Sequence, residues 1–138
     1  MFFLNFIFNL VVMNTNNWEG KVILAVEDDD VSLEFLKELF EPYKITLLTT
    51  NNGQSAIDIC KSEPKIDLVL MDIQLPVLNG KEAMKQIKIF RSDLPVVAQT
   101  AFAMAGDREL YINEGFDDYI AKPINVQEFI LSVDRFIG

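Results

Sequence analysis

The segment "DLVLMDIQLPVLNG", residues 67–80, carries a strand-length apolar run directly into an acid and then into a proline-containing loop. A run without polar alternation is typical of a strand that is covered on both faces of its sheet. A carboxylate at the end of such a strand must be solvated, paired or used in chemistry. Asp72 is therefore the first candidate functional residue, although a turn or cap residue ahead of Pro76 would also explain it.

On both sides of this segment, short apolar runs alternate with stretches of helical periodicity. The strand-length runs are "KVILAV" (21–26), "KITLLTT" (44–50), "DLVLM" (67–71), "PVVAQT" (95–100) and "DDYIA" (117–121). Helical patterns cover residues 31–40, 53–61, 80–90, 105–114 and 125–137. Pro42 ends the first helix, and Asn125 and Glu128 have the spacing of a helix cap at the last. The alternation predicts one α/β domain, residues 18–138, whose parallel strands are joined by right-handed crossovers.

The residues at the carboxyl ends of the predicted strands carry acids, a hydroxyl and an amine. They are Glu27, Asp28, Asp29 and Asp30 after the first strand, Asp72 after the third, Thr100 at the end of the fourth, and Lys122 and Pro123 after the fifth. Because parallel strands end at the same edge of a sheet, these side chains are expected to lie close together. Two unit charges ~4 Å apart repel by about 4 kcal/mol at an effective dielectric near 20. Such carboxylates need a raised pKa or a cation, and ligands that offer only oxygen favour Mg²⁺.

Each of these residues also has a structural explanation when taken alone. A charged helix N-terminus would account for "EDDD", residues 27–30, through the helix dipole. Thr100 is typical of a cap, and Lys122 of a solvated charge. An EF-hand loop starting at Asp28 is excluded, because Leu33 and Leu39 occupy the positions that require Gly and Glu. Acids, a hydroxyl and an amine at successive strand ends are harder to explain by capping, so their combination favours a functional site.

Composition excludes several classes of site. The chain has 138 residues, a formal net charge of -9, one cysteine and no histidine. The negative charge argues against direct nucleic-acid binding. Since Cys60 is the single cysteine, no internal disulfide can form, which fits a reducing, cytoplasmic location. The absence of histidine excludes His-based zinc sites, Ser-His and Cys-His catalysis, and an internal phosphohistidine.

Residues 1–17 form an N-terminal extension that is apolar from Phe2 to Met13, interrupted only by Asn5 and Asn9. As a helix, twelve residues would span roughly 18 Å, which is short of a bilayer core of ~30 Å. The positive n-region and small-residue cleavage site of a signal peptide are missing. Three interpretations remain: a non-native upstream extension of the reading frame, a packing or dimerisation segment, or a membrane-related segment.

Four motifs together point to a family: "VILAVEDD", "DLVLMDIQLPVLNG", "VVAQTAFAM" and "DDYIAKPI". In their order and spacing, the chain from about Trp18 to Gly138 resembles a response-regulator receiver domain of two-component phosphorelays, most of all the receivers attached to hybrid sensor kinases. The resemblance implies a flavodoxin-like five-stranded parallel sheet of order 2-1-3-4-5 with helices on both faces. It also implies a phosphoacceptor that switches a protein-interaction face, and that catalyses only its own phosphorylation and slow dephosphorylation.

The resemblance assigns the phosphoryl chemistry to residues by position. Asp72 is the implied acceptor of a phosphoryl group from a partner's phosphohistidine. The implied Mg²⁺ ligands are Asp28 directly, Glu27 through water, Asp72, and the main-chain carbonyl of Gln74. A carboxylate is a weak nucleophile, so it needs a metal to offset the phosphoryl charge and to fix in-line geometry.

The remaining implied roles concern phosphate binding and switching. Lys122 would pair with one phosphoryl oxygen, while the Thr100 hydroxyl and the Ala101 backbone N–H would donate to another. Inward movement of Thr100 would open a space into which Tyr119 rotates from exposed to buried, although a half-buried strand aromatic would also explain Tyr119. The Lys122–Pro123 bond is expected to be cis.

The sequence departs from the family pattern at two positions. Glu27 stands where many receivers have Asp, and its longer side chain still reaches a metal-bound water. Gln99 is polar where an apolar residue is commoner, and no consequence follows from the sequence. Gln74 and Phe102 lie where the family tunes the lifetime of the phosphoryl group. Phe102 is expected to hinder an attacking water and to extend that lifetime to minutes or longer.

The expected partners follow from the same resemblance. A sensor histidine kinase or a histidine phosphotransfer protein must supply the phosphoryl group, and a downstream protein must receive the signal. The chain is expected to be a monomer or weak dimer without a membrane span. Two alternatives remain open: a phosphorylation-independent interaction module on the same fold, and a haloacid-dehalogenase-like phosphatase. The second is disfavoured because the nucleophile of such enzymes follows the first strand in a D-x-D-x-T motif.

Overall fold

A computed structural model describes residues 17–101 and 103–138. Its sheet contains β1 (Val22–Val26), β2 (Thr46–Thr50), β3 (Leu68–Asp72), β4 (Val96–Thr100) and β5 (Asp118–Ala121). All neighbouring strands are parallel, in the order β2-β1-β3-β4-β5. The predicted flavodoxin-like sheet is therefore confirmed. Of the N-terminal extension only Asn17 is described, so its interpretation stays a prediction.

Among the described residues, five α-helices connect or follow the strands: α1 (Asp30–Phe40), α2 (Gly53–Ser62), α3 (Gly80–Phe90), α4 (Asp107–Glu114) and α5 (Val126–Ile137). A 3₁₀ turn, Glu41–Tyr43, places Pro42 directly after α1. Within the described part of the chain, no helix has both the length and the apolar content needed to cross a membrane.

Two helix starts differ slightly from the sequence prediction. Helix α1 begins one residue early, because the Asp29 carboxylate accepts hydrogen bonds from the Val31 N–H at 3.4 Å and from the Ser32 hydroxyl at 2.7 Å. Helix α4 begins at Asp107, because Gly106 before it has φ 86 and lies outside helical geometry. The predicted cap of α5 is confirmed: the Glu128 N–H donates to Asn125 Oδ1 at 3.1 Å.

The sheet has a hydrophobic core on each face. Helices α1 and α5 cover one face, where Leu36 and Phe129 belong to the same core cluster as Leu70. Helices α2 and α3 cover the other, where Ile57 and Ile87 belong to the second core cluster. The buried strand residues on both faces explain why β1, β3 and β4 have no polar alternation before their carboxyl ends.

Trp18 closes the core at the amino end of the strands. Its side chain is fully buried and its ring stacks on Tyr43 with 4.0 Å between centroids. The indole N–H donates to Asp134 Oδ1 at 2.8 Å, which ties the segment before β1 to α5. This contact joins residues 116 positions apart in the sequence and fixes both ends of the domain to each other.

Gly80 allows α3 to start directly against the end of β3. Its N–H donates to the Ile73 carbonyl at 3.0 Å, and a Cβ at this position would clash with the main-chain carbonyl group of Asp72. The close approach holds Asp72 in place from behind, so the glycine is part of the structural support of the candidate site.

Gly80→Ala is expected to lower the free energy of unfolding by about 1–3 kcal/mol, because the backbone of Asp72 must shift to admit a methyl group. Without such a clash, replacing a helical Gly by Ala would raise the free energy of unfolding by up to about 1 kcal/mol. Urea denaturation measures the effect. Lys85→Ala, at an exposed position of the same helix, serves as control and should stay within about 0.5 kcal/mol of the parent. A neutral or stabilising Gly80→Ala would contradict the close approach.

Candidate functional site

Strand alternation places Glu27, Asp72 and Gln99 on the same face of the sheet. Each stands two residues beyond a core residue on the face covered by α1 and α5. Asp72 and Gln99 are direct partners in the β3–β4 register. Lys122, just after β5, extends over this row from the far side. The topology therefore forms a polar row across the carboxyl edge of four strands.

Three carboxylates converge at one end of this row. Oxygens of Glu27, Asp28 and Asp72 all lie within 4.8 Å of one another. Glu27 is 1% exposed and Asp72 is 7% exposed, whereas Asp28 is open to solvent. Asp29 caps α1 and Asp30 forms its first residue. The acidic run thus splits, and the helix-terminus explanation holds for its last two members.

Lys122 brings a positive charge to two of these acids. Its ammonium forms an ion pair with Glu27 and lies 3.7 Å from Asp72 Oδ2. The main-chain N–H of Lys122 donates to the Thr100 carbonyl at 2.8 Å. The Lys122–Pro123 peptide is cis, as predicted. The backbone bond to β4 fixes where the side chain starts, so Lys122 reaches both carboxylates from a defined point.

Burial raises the pKa of the Glu27 carboxyl to about 7, and desolvation is the main cause. The ion pair with Lys122 opposes this rise, while the neighbouring Asp72 carboxylate adds to it. A buried acid with a shifted pKa beside a second acid and an amine is typical of functional sites. The predicted repulsion among the carboxylates is therefore met partly by a raised pKa and partly by Lys122.

The Asp72 carboxylate is oriented by the backbone of the following loop. Its Oδ1 accepts a hydrogen bond from the Gln74 N–H at 3.0 Å, which leaves Oδ2 on the side of Lys122. The side chain of Gln74 is exposed. The binding of Mg²⁺ by the Gln74 main-chain carbonyl, which the family resemblance implies, stays a prediction.

Thr100 and Tyr119 share the opposite face of the sheet. Thr100 is buried at the end of β4, and Tyr119 is the register partner of Ala98, two residues before it. The half-buried Tyr119 ring stacks on Tyr111 with 5.5 Å between centroids, and its hydroxyl donates to Asp107 at 3.5 Å. The predicted switch pair therefore lies on one face, with Tyr119 held against α4.

Of the two further predicted residues, Ala101 and Phe102, the structure describes Ala101. Ala101 follows β4 and is exposed, consistent with open access to its backbone N–H. Phe102 lies outside the described residues, so its effect on the phosphoryl lifetime stays a prediction. Gln99 had no assigned consequence in the sequence. The strand register could have indicated the position of Gln99, because Gln99 pairs with Asp72 across β3 and β4. Gln99 therefore lies in the polar row that Lys122 crosses.

Comparison with known proteins adds a family match. The family model described as "Response regulator receiver domain" matches residues 23–134. A curated relative, the "Polar-differentiation response regulator DivK" of Brucella anthropi, is 38% identical over 120 residues, covering 86% of this chain and 97% of that relative. DivK proteins of Brucella ovis and Brucella suis match at the same identity and coverage.

Solved structures match over the same region. One is the receiver domain of the sensor histidine kinase PA1611 from Pseudomonas aeruginosa with a magnesium ion in its active site cleft. It is 32% identical with a TM-score of 0.76, covering 86% of this chain and 98% of that chain. Another is the co-crystal structure of the Saccharomyces cerevisiae phosphotransfer protein Ypd1 and the receiver domain of Ssk1. It is 30% identical with a TM-score of 0.78, covering 87% and 90%.

Proposed function

The chain belongs to the response regulator receiver domain family, and from this premise we propose that Asp72 is the side chain that accepts the phosphoryl group. The protein acts as a phosphoacceptor receiver in two-component signal transduction. The observation that carries the assignment to Asp72 is its geometry: a buried carboxylate with one oxygen fixed by the Gln74 N–H and the other facing Lys122.

The transfer is a displacement at phosphorus. An Asp72 oxygen forms the new O–P bond while the P–N bond of the donor phosphohistidine breaks, and the imidazole leaves with the bonding electron pair. Thr100 and Ala101 would donate hydrogen bonds to the transferred oxygens, and Lys122 would move its ammonium toward them. The fold contributes mainly by holding these groups in position before the donor arrives.

The same acidic cluster fits a divalent cation, and we assign it to Mg²⁺. The cluster offers only oxygen donors from Glu27, Asp28 and Asp72, and their spacing within 4.8 Å suits one ion. When bound, Mg²⁺ supplies positive charge that offsets the phosphoryl oxygens. A related receiver, that of PA1611, carries magnesium in its active site cleft, which supports the assignment.

The Mg²⁺ affinity should fall by about tenfold between about pH 8 and about pH 6. The pKa of Glu27 is raised to about 7, so this carboxyl is mostly ionised at the higher pH and mostly protonated at the lower. A proton on Glu27 competes with the metal and its water. Each pH unit below the pKa therefore lowers the Mg²⁺ affinity by up to about tenfold. Isothermal titration calorimetry of the unphosphorylated protein measures both affinities.

Glu27→Gln is the matched control for this pH effect. It keeps the shape and hydrogen-bonding capacity of the side chain but cannot ionise, so its Mg²⁺ affinity should be weak and the same at both pH values. Equal affinities of the parent protein at the two pH values would contradict the coupling of Mg²⁺ binding to ionisation of Glu27.

Incubation with acetyl phosphate tests the proposed function directly. With Mg²⁺ present, intact-mass measurement should show one added phosphoryl group, and removal of the metal with EDTA should prevent it. An interaction module independent of phosphorylation would show no uptake. A phosphatase would instead turn over p-nitrophenyl phosphate many times, whereas this chain should only lose its own phosphoryl group slowly.

Phosphorylation would act on partners through Thr100 and Tyr119. The Tyr119 ring stacks on Tyr111 of α4, and its hydroxyl donates to Asp107 of the same helix. Tyr119 shares a face of the sheet with Thr100. Movement of Thr100 toward the phosphoryl group would leave space for the Tyr119 ring and release its contacts with α4. The altered surface would be the one formed by α4, β5 and α5.

The donor is proposed to be a sensor histidine kinase or a histidine phosphotransfer protein. A related receiver, that of Ssk1, has been crystallised with the phosphotransfer protein Ypd1, which supports a donor of this type. Since the chain has no histidine, it cannot carry the donor phosphohistidine itself. We place it in the cytoplasm, supported by its single, buried cysteine, Cys60.

A further inference from the structure

A cavity of about 350 Å³ lies between α1 and the connection from β5 to α5, beside the phosphoryl site. Its walls are mostly apolar, and the apolar residues come from two separate parts of the chain. They are Val31, Phe35 and Leu36 of α1 and Pro123 and Ile124 of the connection. This size lies at the lower end of small-molecule sites and is too small for a helix of a partner protein.

Gln99 also lines this cavity, which we name the Gln99 pocket. Its side chain is 1% exposed, and its Nε2 finds no hydrogen-bond partner among the described residues. Buried polar groups in folded proteins are nearly always paired, because an unpaired donor costs about 1–3 kcal/mol. An amide donor that lines a cavity without a protein partner is available to an acceptor from outside the fold.

The other polar groups of the pocket narrow the chemistry of that acceptor. The Ser32 hydroxyl already donates to Asp29 at 2.7 Å, and the Lys122 ammonium is engaged with Glu27 and Asp72. The group without a protein partner is thus the neutral N–H donor of Gln99, which can pair with an acceptor such as a carbonyl oxygen. The three nearby carboxylates outnumber Lys122, so an anionic ligand would meet net repulsion.

We propose that the Gln99 pocket binds a small neutral carbonyl compound, of about the size of one substituted ring. The apolar body of the compound lies between α1 and Pro123–Ile124, and its carbonyl oxygen accepts the Gln99 N–H. This site adjoins the phosphoryl site, with which it shares Lys122, but it needs neither metal nor phosphodonor.

Three probe compounds test the proposal by NMR on the unphosphorylated, metal-free full chain. Acetophenone carries the carbonyl, ethylbenzene has nearly the same shape without it, and benzoate carries a negative charge. Acetophenone should shift the Gln99 side-chain amide signals in a saturable manner, with a Kd on the order of millimolar for so few atoms. Ethylbenzene and benzoate should bind at least about fivefold more weakly.

Two variants and one control variant make the result specific to this pocket. Gln99→Leu identifies the amide signals by removing them, and it should reduce acetophenone binding, followed by backbone shifts, to the level of ethylbenzene. Val31→Trp places a large side chain at the rim and should abolish binding, while Ile89→Trp, at an equally exposed site on α3, should not.

Two results would overturn the proposal. One is the absence of a saturable shift with acetophenone in the parent protein. The other is unchanged acetophenone binding in Gln99→Leu or in Val31→Trp. Neither result depends on phosphoryl uptake, so this proposal and the proposed function can fail separately.

Discussion

Asp72→Asn should reduce phosphoryl uptake from acetyl phosphate by at least about a thousandfold, to an undetectable level. The amide oxygen of Asn carries no negative charge and is a far poorer nucleophile than a carboxylate. The fold should persist, because the amide oxygen can still accept the Gln74 N–H that fixes Oδ1 in the parent. Intact-mass measurement after incubation with acetyl phosphate and Mg²⁺ gives the result.

Asp93→Asn is the matched control for this substitution. Asp93 is exposed in the connection between α3 and β4, and its replacement removes the same single charge away from the acidic cluster. Its uptake should equal that of the parent. The Asp72→Asn variant should also lower the pKa of Glu27, because the Asp72 carboxylate contributes to raising it. Uptake at the parental rate in Asp72→Asn would show that another residue is the acceptor.

Lys122→Met should slow phosphoryl uptake by about a hundredfold without unfolding the protein. Methionine keeps the length of the side chain but removes the ammonium that faces Asp72 and pairs with Glu27. Removal of one preorganised charge from a phosphoryl or oxyanion site costs about 10²–10³ in rate. Initial rates of acetyl phosphate uptake at saturating Mg²⁺ measure this effect.

A second readout separates this role from a purely structural one. The ion pair with Lys122 lowers the pKa of Glu27, so Lys122→Met should raise that pKa above its value of about 7. The pH at which Mg²⁺ binding is half lost should move upward with it. Lys85→Met, on an exposed part of α3, is the control and should change neither quantity. A parental uptake rate in Lys122→Met would remove the lysine from the proposed chemistry.

The parts of the fold that could be predicted are those determined by local pattern. The apolar runs of β1, β3 and β4 are long enough to identify strands, and their lack of alternation indicates cover on both faces. The acid at the end of β3 was conspicuous because burial of a carboxylate is costly without a partner. The predicted starts of α1 and α4 were less accurate, since these starts depend on the Asp29 cap and on Gly106.

The site was predictable as a set of strand ends but not as a set of contacts. Topology indicated that the acidic run, Asp72 and Lys122 would meet, yet it could not show that Asp29 turns away to cap α1. The pairing of Lys122 with Glu27, two strands beyond its neighbour β4, depends on side-chain conformation across the sheet. The environment of Gln99 depends on the gap between α1 and the β5–α5 connection, which no local pattern encodes.

The position of Trp18 has a practical consequence for fluorescence measurements on this protein. Trp18 is the single tryptophan of the chain, and it lies beneath Tyr43 at the end of the sheet opposite to Asp72. Its emission should change sharply on denaturation, when water reaches the indole. The same emission should stay flat during titrations at the distant acidic edge, so fluorescence studies of signalling require an engineered dye near that edge.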